Sequence, residues 1–85
     1  MTFLDCCRRV RENGLCMIRP RGDISGQYDL CEPFEGGTGW VWLDTTTANI
    51  VYQIFDALSP DRQERFKALP ASVILTFCWR IANGT

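Results

Sequence analysis

Apolar residues recur along this chain first with a helical period, then with the alternation of short strands, and then with a helical period again to the end. In the opening segment Phe3, Leu4, Cys6, Cys7 and Val10 fall on one side, with Asp5, Arg8, Arg9, Arg11 and Glu12 on the other. That division predicts an amphipathic helix from Phe3 to about Glu12. Thr2 stands at its N-cap, Asp5 completes a capping box, and Asn13-Gly14 supplies the stop.

Three strand candidates follow. LCMIR is ended by Pro20, and GQYDLC ends before Pro33. In TGWVWLD the alternation puts Trp40 and Trp42 on one face and Val41 and Leu43 on the other. Turn-forming residues, Arg21-Gly22-Asp23 and Glu35-Gly36-Gly37, separate the three. Short links of this kind predict an antiparallel meander.

The remainder reads as helix. A segment starting within Thr45 to Thr47 and reaching Leu58 carries Val51, Ile54, Phe55 and Leu58 as its stripe, widened by Ile50 and Tyr52. Ser59-Pro60-Asp61 gives the N-cap, N1 proline and first-turn acid of a short helix to about Ala68, expected to bury Phe66 and Leu69. After the break at Pro70, Ala71 to Ile81 presents Val73, Ile74, Phe77 and Ile81, with Leu75, Cys78 and Trp79 extending apolar character to its other sides. A helix apolar all round is central in a fold or covered by another subunit. The expected architecture is therefore α+β: an N-terminal helix, a three-stranded antiparallel meander, and two or three C-terminal helices packed on one sheet face.

Eighty-five residues make one compact domain, residues 1–85, which should bury roughly 60% of the surface its unfolded chain exposes. The net charge of −1 conceals a division along the sequence. Met1 to Arg21 carries +3, Gly22 to Leu58 carries −6 with no basic residue, and the remainder carries +2. Such polarity suits steering by complementary patches. Five cysteines, an odd number, without an export signal are expected to be reduced thiols in a cytoplasmic protein. The longest apolar run, Ala71 to Trp79, falls well short of the roughly 20 residues of a membrane span, so no membrane role is expected.

Chemistry is thinly represented. There is no histidine, which removes the Cys-His pairing of thiol enzymes, and no Gly-rich loop leads to the Lys-Ser or Lys-Thr of a phosphate cradle. Cys6 and Cys7 are adjacent and diverge by about 100° on a helix, while Cys16 and Cys31 stand alone on strands, a poor ligand set for zinc. Neither metal nor cofactor is expected. Asp29, Glu32 and Glu35 lie close enough to form an acidic patch, with no sequence sign of the separated environments that acid–base catalysis requires. The last helix offers only Ser72, Thr76 and Arg80 as polar groups, too few to read a DNA major groove.

What remains is surface. The sequence reading is a non-catalytic interaction protein, an adaptor, inhibitor or regulatory subunit, with the size and charge pattern expected of one encoded by a virus or mobile element. Tyr28, Trp40 and Trp42 would serve as contact area, Asp29, Glu32 and Glu35 as a rim toward a basic protein, and Trp79 as a homodimer contact. The alternative is a nucleic-acid-binding regulator using Arg8, Arg9, Arg11, Arg19 and Arg21.

Overall fold

A computed structural model describes residues 1–84 and has the α+β architecture the sequence predicts. Its elements are α1 (Phe3–Asn13), β1 (Cys16–Pro20), β2 (Tyr28–Cys31), β3 (Val41–Leu43), α2 (Thr45–Ala57), α3 (Pro60–Lys67) and α4 (Ala71–Ala82). All strand pairings are antiparallel, yet the strand order is β2-β1-β3, so the sheet is not the sequential meander expected. The physical reason lies in β1, whose consecutive Cys16, Met17 and Ile18 are all buried. A strand apolar on both faces belongs in the middle of a sheet, where both faces are covered.

Cys16, Ile18 and Leu43 point into the main core beneath the helices. Met17 faces the other way and is only 6% exposed, because the β2–β3 loop crosses over it. Gly36 makes that crossing fit: a Cβ there would lie 2.6 Å from Cγ of Trp40 and 3.1 Å from Sδ of Met17.

Local capping explains where the helices start and stop. The Thr2 hydroxyl accepts from the Asp5 amide at 3.2 Å, and the Asp5 carboxylate accepts from the Thr2 amide at 3.1 Å. Gly14 ends α1 with φ +92°, a conformation that favours glycine. The α2 N-cap is Asp44, whose carboxylate accepts from the Thr47 amide at 2.8 Å. Ser59 precedes α3 with no side-chain capping bond.

The Asp44 cap gives a direct test. Asp44→Ala should cost about 1 kcal/mol, lowering Tm by about 4–8 °C in a thermal melt, while Asp44→Asn should retain most of the stability. The bond from Thr47 holds the Asp44 carboxyl below the ordinary aspartate range. Its contribution is thus fully present above the unfolded pKa and lost as pH falls through the lower folded value. The gap between wild type and Asp44→Ala should narrow in acid.

The core lies between α1, α2, α4 and the inner sheet face, with Cys6, Cys7, Val10, Ala48, Val51, Ile74 and Cys78 essentially inaccessible. Tyr52 is buried as well, and its hydroxyl donates to the Leu4 carbonyl at 3.1 Å, fastening α2 to α1. On α2 the buried side is therefore Ala48, Val51 and Tyr52, while Ile54, Phe55 and Leu58 pack at its margin.

Two burial expectations are corrected. Leu69 is exposed, and on α4 it is Ile74 and Cys78, backed by Ala71 and Leu75, that face the core. Val73, Phe77 and Ile81 form a second stripe that points to solvent. A helix apolar on several sides can seat either stripe, and packing on α2 selects the one with the small residues Ala71 and Cys78.

Candidate protein-binding surface

The side of the sheet turned away from the helices gathers most of the residues expected to form a site. The strand register sets Trp42 and Cys31 on either side of Met17, with Arg19 opposite Asp29. Arg19 Nη2 lies 3.2 Å from Asp29 Oδ2, and its guanidinium stacks 4.6 Å from the centre of the Trp40 ring. Trp40 is half-buried beneath that stack, whereas Trp42 is 47% exposed. Both indoles thus leave the core, one partly covered and one open.

Phe34 extends the aromatic surface. Its ring meets that of Trp42 edge-on at 5.0 Å, and Phe34 is 85% exposed. It is also the one non-glycine residue with positive φ among those described, at +68°. That left-handed backbone costs on the order of 1–2 kcal/mol for an ordinary side chain. The loop therefore holds a large apolar ring in water in an unfavourable conformation. Glu32 and Glu35 flank it on the same turn, where the Glu35 amide donates to the Glu32 carbonyl at 3.2 Å.

β3 lies at the margin of the sheet, and among the described residues no backbone hydrogen bond joins it to any element except β1. Beside it an open cleft of about 420 Å³ separates β3 from α4. Val41, Trp42 and Leu43 form one wall, and Ala71, Leu75 and Trp79 the other. Among the described residues, no carboxylate, thiol or basic side chain lines this cleft. Its walls are largely apolar, which suits apolar groups.

The structure thus assembles Trp40, Trp42, Asp29, Glu32 and Glu35 around one sheet face and sets Trp79 across the cleft from Trp42. Tyr28 is elsewhere. It lies on the inner face, its ring 5.9 Å from that of Phe3, and its hydroxyl accepts from the Ala71 amide at 3.1 Å. That bond satisfies a first-turn amide of α4, whose N-cap Pro70 offers no side-chain acceptor. Phe34 and Val41 were missed as site residues. The signal for Phe34 was a large aromatic embedded in turn residues, between Pro33 and Glu35-Gly36-Gly37, where no core could receive it.

The five arginines do not form a single patch. Arg19 is engaged on the outer sheet face, and Arg21 makes a forked pair with Asp23 at 3.0 and 2.7 Å. Arg11 donates to Asn49 Oδ1 at 3.1 Å and stacks on Tyr52. Arg8 and Arg9 remain on the α1 surface, interspersed with Asp5 and Glu12.

Burial pushes the Cys6 and Cys78 thiols up to about 11 and Cys7 up to about 12. Cys16 is also raised by burial, and Cys31 by desolvation and then by Glu35 and Glu32. These are protonated, weakly nucleophilic groups at neutral pH. Among the described residues no three of Cys, Asp or Glu are grouped to hold a metal ion, and no helix is long and apolar enough to cross a membrane.

Comparison with known protein families, with characterised proteins and with solved structures finds no match.

Proposed function

We propose that this chain is a non-catalytic protein-interaction module that receives an extended segment of another protein along the outer margin of β3. One observation carries this reading: the outer edge of β3, the side away from β1, lies between an apolar cleft on one side and an exposed aromatic ledge on the other. A strand added there would satisfy the free amides and carbonyls, while its alternating side chains enter the cleft or rest on Trp42 and Phe34. Glu32 and Glu35 favour basic residues in the partner beside that segment. The biochemical effect is steric, as an adaptor, inhibitor or regulatory subunit covers or links a surface of its target.

Val41 is the residue to test, since it is exposed on β3 and its side chain borders the cleft. A charge at this position should block strand addition without entering the core. Partners captured from nuclease-treated host extract would be identified and titrated against wild type and Val41→Lys by calorimetry. Affinity at least roughly tenfold weaker in the variant, or about 1.4 kcal/mol, is expected. Equal affinity, or capture that requires nucleic acid and vanishes at high salt, would refute the reading and direct attention to Arg8 and Arg9.

A further inference from the structure

The outward stripe of α4 borders a second, separate groove. Leu58, Phe66, Leu69, Val73 and Phe77 line an apolar trough of about 250 Å³ between α3 and α4, with Arg62 and Arg65 on its α3 side. The surface continues past Phe77 to a second open depression bounded by Ser72, Thr76 and Arg80. Among the described residues, no acid lines either depression. Arg62 and Arg65 enter no ion pair among the described residues, whereas the neighbouring Lys67 is paired with Glu64 at 3.2 Å.

We infer that the α3–α4 groove binds an acidic amphipathic helix of a partner protein. Both walls are helical, so the complementary shape is a third helix laying its apolar ridge between them. Val73, Phe77 and Ile81 repeat every four residues, and a bound helix would match them with apolar side chains at positions such as i, i+4 and i+7. Its flanking carboxylates would face the arginines, which bind such groups in forked geometry. Charge also decides against a second copy of this chain: a two-fold contact would bring two arginine rims together with no acid lining either groove. This surface lies apart from β3, so the module could hold two segments at once and act as a bridge.

The test uses the whole 85-residue protein and a fluorescein-labelled synthetic 18-residue helix with leucines at i, i+4 and i+7 and glutamates on both flanks. A matched peptide has every glutamate replaced by lysine. In anisotropy titrations at low salt the acidic peptide should bind saturably and roughly tenfold more tightly than its basic counterpart, the ratio shrinking as salt rises. Arg62→Glu/Arg65→Glu should reverse the preference. Phe77→Asp should weaken both peptides, with far-UV circular dichroism confirming that each variant folds. Absence of saturable binding by the acidic peptide, equal affinity for the two, or a preference that survives the double reversal would overturn the inference. So would a dimer in sedimentation equilibrium that dissociates in Phe77→Asp, because a second copy would then occupy the groove.

Discussion

Phe66→Ala is expected to remove about 3–5 kcal/mol of stability, the range for truncating a buried phenylalanine. Phe66 is 3% exposed, and its ring lies between those of Phe55 at 5.9 Å and Phe77 at 6.4 Å. It is the only buried side chain on α3, an eight-residue helix too short to persist on its own. The same residue therefore fills the core and fastens α3 to α2. Domains of this kind are stable by about 5–15 kcal/mol in total, so the variant should unfold at far lower urea, with loss of helix seen by circular dichroism. Phe77→Ala is the informative companion. Phe77 is 42% exposed and its ring meets that of the buried Phe66 at the edge of the core, so its truncation should cost under about 1 kcal/mol. Comparable losses from both substitutions would mean that α4 turns its other stripe inward.

Trp42→Ala should be the most damaging single change to partner binding, at about 2 kcal/mol or more, which is roughly a thirtyfold loss of affinity. The indole stands where the two apolar regions meet: its ring contacts Phe34, and it also contributes to the wall of the cleft facing Trp79. It takes no part in the core, so the folded population should change little. Trp40→Ala should behave differently. Trp40 lies under Arg19 and against the loop at Gly36, so its removal should loosen the cover over Met17 and register chiefly as lost stability. Titration of an identified partner, paired with urea unfolding, separates the two roles. If Trp42→Ala binds as wild type does, the aromatic ledge is not the contact.

Local chemistry made much of this fold readable. Thr2 with Asp5, Pro20, Pro60 and Pro70 each act within a few residues of themselves, so the sequence places the corresponding boundaries closely. Strand order depends on long-range competition for the centre of the sheet. The unbroken Cys16-Met17-Ile18 was the legible sign that β1 would occupy it, and the short linkers argued the other way. On α4 the sequence offers two adequate apolar stripes, and only the neighbouring helices choose between them. Trp40 and Trp42 were assigned a common face by alternation alone, and both lie on it. Tyr28 sits on the inner face at the cleft, not on the outer face, and its hydroxyl finds a backbone amide 43 positions away, a pairing that no local pattern announces.

The position of the three indoles has an optical consequence. Trp42 and Trp79 are open to water and Trp40 is half-covered, whereas the aromatic rings sealed inside are Phe3, Tyr52 and Phe66. Intrinsic tryptophan emission from this protein therefore reports on its exterior. Native and denatured chains should differ only modestly in emission wavelength, and the larger shift to the blue should come when another surface closes over Trp42.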